Sequence, residues 1–205
     1  MHKLKTIPRK MPSQERSRAT IDAILDATAR VLQREGFDRA STNRVAEAAG
    51  VSIGSLYQYF PSKEALVAAL AERHMQQMFA RLSSEMARVS ALPLEQAVRA
   101  LVGMMLDAHA VDPKLHRVLI EQVPRIGRLE RVHEVEARMT ELTSAYLRAH
   151  HASLRVRDLE LAAFVVVTTV EALTHQATLH HPERLKDDRL AREIVDIVVR
   201  YLRRD

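Results

Sequence analysis

Between positions 41 and 60 the chain reads STNRVAEAAGVSIGSLYQYF, a stretch rich in hydroxyls, with amides, one guanidinium and two phenols. Nothing in it pairs a nucleophile with a base, and nothing has the spacing of metal ligands. As a set these groups are hydrogen-bond donors suited to phosphate oxygens and base edges. Three of the chain's eight Phe and Tyr residues (Tyr57, Tyr59 and Phe60) crowd into four positions of the stretch. On a helix Leu56 and Phe60 share one face, which directs Tyr57, Gln58 and Tyr59 outward. An outward phenol can donate to a phosphate oxygen and lay its ring on a sugar or a thymine methyl.

Short helices must position these groups. Ile21, Ile24, Leu25, Thr28 and Leu32 fall on one face of an amphipathic helix that ends near Gly36. Thr42 is expected to cap a short second helix with Val45, Ala46 and Ala49 inward. Gly50 supplies the positive-φ stop, and Val51 follows as a buried plug. Ser52 caps a third helix, and Gly54 and Ser55 keep its start slim. Pro61 ends that helix, and Ser62 caps a long fourth one with Glu64 in its first turn. Two helices joined by a three- or four-residue turn have the geometry of a helix-turn-helix, whose second helix enters the major groove of DNA.

The charge distribution agrees with a polyanion partner. Residues 1–63 carry eleven Lys and Arg against six Asp and Glu, whereas residues 64–205 carry twenty of each. The formal net charge of +5 therefore sits in the first third of the chain. Absence of cysteine excludes a disulfide scaffold, a thiolate zinc site and thiol catalysis. No apolar run is long enough to span a membrane, and Met1–Met11 lacks the apolar core of a signal peptide. A cytoplasmic location and no membrane partner are expected.

Beyond the fourth helix, Pro93, Pro113, Pro124 and Pro182 divide the chain into four or five further helices. Val165 to Val170 is an unbroken β-branched run that propensity alone would assign to a strand. No other stretch offers it a partner strand, and the pattern over 158–180 is helical. A helix apolar nearly all round is expected to be buried on every side, one of them by a second subunit. His150-His151 and His180-His181 suggest metal chemistry only superficially, because adjacent helical residues point about 100° apart. No H-E-x-x-H motif accompanies them, so no enzyme, metal or cofactor is expected.

The run ILDATARVLQREGFDRASTNRVAEAAGVSIGSLYQYFPSKEALVAAL resembles the DNA-binding domain of the TetR/AcrR family of bacterial transcriptional regulators. The resemblance rests on Gly36-Phe37, on TNRVAEAAGVS, on GSLYQYF and on SKEAL, and covers roughly residues 16–70. It implies an all-α fold of about nine helices: a basic tail (1–14), a three-helix helix-turn-helix domain (15–62) and an effector-binding and dimerisation domain (63–205). It also implies that the last two long helices pair with those of a second copy. The over-apolar helix at 158–180 and the stripe Ile194, Ile197, Val198, Tyr201 suit that role.

By position, Thr42, Tyr57 and Lys63 resemble the family's phosphate contacts, while Ile53, Gly54 and Ser55 sit where family members vary to read bases, beside Gln58 and Tyr59; Ser52 is a further DNA-binding candidate. Asn43 and Arg44 reach the backbone or groove edge. Lys3, Lys5, Arg9, Lys10, Arg16 and Arg18 are further phosphate or minor-groove candidates, or merely solvated. For an effector, methionine enrichment points to an adaptable apolar pocket or to ordinary core filling, with Met104, Met105, His109, Glu171 and His175 as candidate lining; Glu171 and His175 could instead hold each other across the dimer. The expected function is a homodimeric repressor that releases a palindromic double-stranded DNA operator on binding a small apolar inducer. The alternative is a DNA-binding protein of the same fold governed by a protein or DNA signal.

Overall fold

The computed structural model describes residues 10–126 and 130–204. Among them are nine α-helices and no strand: α1 (Lys10–Arg39), α2 (Thr42–Ala49), α3 (Ile53–Tyr59), α4 (Lys63–Val89), α5 (Leu94–Val111), α6 (Pro113–Ile126), α7 (Glu130–Ala149), α8 (Leu159–His180) and α9 (Asp188–Leu202). The chain divides into two compact units at Leu70/Ala71, eight residues beyond the boundary anticipated at 62/63. Within the anticipated tail, residues 10–14 are already helical. Lys3, Lys5 and Arg9 lie outside the described residues.

In the first unit α1 carries Ile24, Leu25, Thr28 and Leu32 inward, where they meet Val45 and Ala46 of α2 and Leu56 of α3 in a dry centre. The end of α1 is broken at Gly36, whose φ of 74° lies in the left-handed region open to glycine. The start of α2 differs from expectation. Its cap is Ser41, whose extended backbone lets Oγ accept from the Arg44 N–H at 3.3 Å, while Thr42 already has helical geometry. Gly50, at φ 68°, ends α2 in a Schellman motif. The Gly50 N–H donates to Glu47 and the Val51 N–H to Ala46. Val51 itself is only half-buried. Ser52 caps α3 through the Ser55 N–H at 3.0 Å, and Ser62 accepts from Ala65 at the start of α4.

The second unit is built by α5 to α9 and the α4 residues beyond Leu70. Its core takes Met78, Leu82 and Met86 from α4, Val102 and Leu106 from α5, and Ile194, Val198 and Leu202 from α9. Pro124 sits inside the last turn of α6 and does not begin a new element. There it withholds the N–H that would have bonded the Ile120 carbonyl one turn back.

The β-branched run is helical, as its period requires: α8 is capped by Asp158, whose carboxylate accepts from the Leu161 N–H at 3.0 Å. Its burial on all sides does not hold within one chain. Ala162 and Ala163 are buried and Val166 and Val170 pack against the core, but Leu161 and Phe164 are 53% and 56% exposed. The anticipated α9 stripe splits in the same way. Ile194 and Val198, one turn apart, face the core, while Ile197 lies off that line and is 47% exposed.

Candidate nucleic-acid interface and effector cavity

Thr42 and Tyr57 meet across the helix-turn-helix. Thr42 Oγ1 stands 3.1 Å from Tyr57 Oη, tying the first turn of α2 to α3. Asn43, Arg44, Ile53, Gly54 and Gln58 are exposed around this pair, and Tyr57 is half exposed. Arg44 is steadied by Glu35 of α1 at 2.5 Å. The Ser52 and Ser55 hydroxyls bond each other at 2.8 Å, so both are partly spent on capping α3.

Two residues depart from the outward placement expected of them. Tyr59 turns back toward α1, where its hydroxyl donates to Ser17 Oγ at 3.4 Å, and it is half-buried. A residue three positions from Leu56 remains near the packed side of a short helix. Lys63 lays its ammonium over the Phe37 ring, 4.0 Å from the centroid, and donates to the Phe37 carbonyl at 2.8 Å. Its remaining N–H donors are the ones left for another acceptor.

Gly54 is informative because nothing inside the fold asks for glycine there. A Cβ at this position would meet only Ser52 Oγ, at 3.9 Å, and the backbone is ordinary helix. Glycine inside a helix costs about 0.5–1 kcal/mol relative to alanine.

Within the second unit, α4, α5, α6, α7 and α8 line a partly open cavity of about 330 Å³. Of the five residues named as candidate effector lining, Met105, His109, Glu171 and His175 lie on its wall, whereas Met104 is absent from the wall and packs against the core. Sequence reasoning missed His74 of α4 and His116 of α6, which complete a row of four imidazoles. Ring centroids are 4.4 Å apart for His74 and His116, 4.5 Å for His116 and His109, and 5.5 Å for His109 and His175. The available signal was weak: histidines on four helices, none adjacent to another. The adjacent pairs lie elsewhere. His150 stacks on Tyr146, and His181 Nδ1 lies 3.5 Å from the Glu183 carboxylate. Among the described residues no group of three or more potential ligands has metal-holding geometry.

Burial sets the electrostatics of the cavity. It pushes His74 down to about 4, His116 to about 3 and His175 to about 4, each reinforced by neighbouring imidazoles. His109 is lowered too, less so because its ring bonds the Met105 carbonyl. Glu171 moves the other way, up to about 7, through burial and the nearby charge of Glu136. Glu136 also lines the cavity and pairs with His133 at 3.0 Å.

A narrower branch of about 80 Å³ opens beside it, walled by Val98, Leu101, Val166, Val167 and Val170 with Thr143 and Tyr146. Met105, Met139 and Glu171 line both spaces. Glu171 thus stands between a polar, imidazole-lined chamber and a dry aliphatic one.

A helix-turn-helix with an exposed reading helix, joined to a helical unit that holds a cavity, defines an all-α DNA-binding regulator. The chain belongs to the TetR family of bacterial regulatory proteins: residues 24–70 match that family's description, and residues 93–202 match the family described as the tetracycline repressor-like C-terminal domain. It is 30% identical over 113 residues to the nucleoid occlusion factor SlmA of Haemophilus ducreyi, covering 54% of each chain. It therefore spans about half the length of the curated relatives it matches. Among solved structures it resembles a TetR-family transcriptional regulator from Mesorhizobium loti, with a TM-score of 0.74 at 20% identity over 92% of this chain and 99% of that one. It also resembles SmeT, the repressor of the Stenotrophomonas maltophilia multidrug efflux pump SmeDEF, with a TM-score of 0.67 at 24% identity over 92% and 93%. SmeT has also been solved in complex with triclosan.

Proposed function

We propose that this chain is a dimeric, cytoplasmic repressor that holds a palindromic DNA operator and leaves it when a small molecule enters the cavity of its second unit. The observation that carries the DNA half is Gly54, a helical glycine on an exposed face with no steric reason inside the protein. Its Cβ-free backbone suits close approach to the floor of a major groove. Thr42, Tyr57 and Lys63 would hold phosphates, with Ser52, Ser55 and Tyr59 in support. Ile53, Gly54 and Gln58 would face base edges, flanked by Asn43 and Arg44. An Ile at the reading position offers apolar contact only, so thymine methyls and duplex shape should weigh heavily in the operator.

The ligand half is supported by the cavity, whose size is that of small-molecule sites. Met105, His109, Glu171 and His175 are the proposed effector contacts. Occupancy would favour a dimer whose reading helices are wrongly spaced for successive major grooves. The test is selection of bound genomic fragments followed by footprinting. An imperfect palindrome with half-site centres about 10 bp apart, or a multiple of that, is expected. A single asymmetric half-site held by one subunit would overturn the proposal.

The likeness to a nucleoid occlusion factor favours a second reading, in which a protein or DNA signal replaces the small molecule. Thermal-shift screening of a metabolite and drug library separates the two. Stabilisation by a library member, with release of the operator, supports the first reading; a partner protein that alone alters operator occupancy supports the second.

A further inference from the structure

The cavity's chemistry is one-sided. The Nδ1 of His109 lies 2.9 Å from the Met105 carbonyl oxygen, and that of His116 lies 3.3 Å from the His109 carbonyl oxygen. A carbonyl only accepts, so each Nδ1 carries the proton and each neutral ring keeps Nε2 as an acceptor. The Glu171 carboxylate has neither hydrogen bond nor ion pair to any described residue. No described lining residue is Lys or Arg. Acceptors that line the cavity are placed to receive hydrogen bonds from a donor on a bound molecule. Beside Glu171 the aliphatic branch offers room for an apolar body and nothing polar beyond Thr143 and the buried, unpartnered Tyr146 hydroxyl.

Resting on the reading of the second unit as the effector domain, we propose that the cavity binds an amphiphilic organic amine. Its ammonium group is held by the Glu171 carboxylate and the imidazole acceptors, and its apolar chain or ring lies in the aliphatic branch. A carboxylate of the same shape is disfavoured above pH 7, since the cavity presents it with lone pairs and with the like charge of ionised Glu171. An alcohol of the same shape keeps the tail contacts and one donor but loses the charge attraction.

Proton linkage gives a signature specific to Glu171. The groups facing it are His74 from α4, His109 from α5, His116 from α6, His133 and Glu136 from α7, and His175 from its own helix. With His74, His116 and His175 held at about 4 or below, these rings stay neutral from pH 6 to 8. Glu171, near 7, ionises across that window. An alkylamine stays cationic throughout, as lysine does. Amine affinity should therefore rise with pH, by about tenfold from pH 6 to pH 8, following the ionised fraction of Glu171.

The experiment is calorimetric titration of the full-length protein with n-octylamine, n-octanol and sodium octanoate at pH 6, 7 and 8. Expected is octylamine binding at least tenfold tighter than octanoate at pH 8, with the affinity climbing about tenfold from pH 6. Glu171→Gln, isosteric and uncharged, should abolish both the preference and the climb while retaining octanol binding. His133→Gln should keep the pH profile, excluding that exposed imidazole as its source. Octanoate binding as tightly as octylamine, an unchanged profile in Glu171→Gln, or no binding of the amine at pH 8 would each overturn the proposal. A gel shift with the same three compounds keeps the two readings apart. Amine binding that leaves the operator occupied upholds the site and fails the effector reading. Operator release by octanoate alone does the reverse.

Discussion

The hydroxyl groups of Thr42 and Tyr57 lie 3.1 Å apart and join the first turn of α2 to the exposed side of α3. Either oxygen can donate, so the pair can hand its second proton to an outside acceptor such as a phosphate. Tyr57→Phe should weaken binding to operator and to random duplex by similar factors, about 1–2 kcal/mol or roughly five- to thirtyfold. Fluorescence anisotropy on both duplexes checks this. Loss of operator affinity alone would make Tyr57 a base-reading residue.

Gly54 should show opposite effects on folding and binding. Gly54→Ala removes a helix-breaking residue and meets no close neighbour, so the first unit should gain about 0.5–1 kcal/mol by thermal or urea unfolding. At the DNA surface the added methyl must be accommodated in a packed contact, at about 1–3 kcal/mol. A variant that is both more stable and fully competent for operator would remove the case for close backbone approach.

The bare apolar face should govern association. Phe164→Asp and Leu161→Asp place a charge where two copies would meet, at a cost on the order of several kcal/mol once desolvated. Light scattering should report monomer from variants whose helical content is intact. Val166→Asp is a different experiment, since that side chain packs into its own unit and lines the aliphatic branch; it should misfold. Soluble dimers from both Phe164→Asp and Leu161→Asp would move the interface elsewhere.

Stability should fall in mild acid. His74, His116 and His175 have folded values of about 4, 3 and 4 against an ordinary 6.5, so the folded state favours the neutral ring. Their contribution is complete above pH 6.5 and is lost as pH drops from 6.5 toward 3–4, with the unfolded chain taking up the protons. Each ring contributes a slope of about 1.4 kcal/mol per pH unit in that window. Glu171, raised to about 7, works oppositely, since the folded state holds its proton and stability falls as pH rises from 4.5 to 7. Melting temperatures of His116→Leu should therefore flatten on the acid side, while those of Glu171→Gln should climb more steeply than the parent's between pH 4.5 and 6.5, because the opposing slope is gone. A parent whose acid branch matches that of His116→Leu would mean the imidazole is solvated.

The sequence alone determined the helix-turn-helix and most of its punctuation. Caps at Ser52 and Ser62, the stop at Gly50 and the inward pair Leu56 and Phe60 depend on interactions spanning four or five residues, which a linear pattern records. Even there a one-residue error crept in at Ser41 and Thr42, because both are competent caps and only the backbone angles separate them. The helical state of the β-branched run was also legible, from the lack of any partner strand. Tertiary structure decided the rest. Which side of α8 and α9 stays bare depends on the rotation of each helix about its axis, which an apolar run does not specify when several faces are apolar. The capture of Lys63 by Phe37 and the return of Tyr59 to Ser17 join residues 26 and 42 positions apart. The imidazole row is the extreme case: four rings from α4, α5, α6 and α8 meet only because packing brings those faces together, and burial then shifts their protons. Local chemistry specifies elements; the cavity exists only where non-local packing leaves space between them.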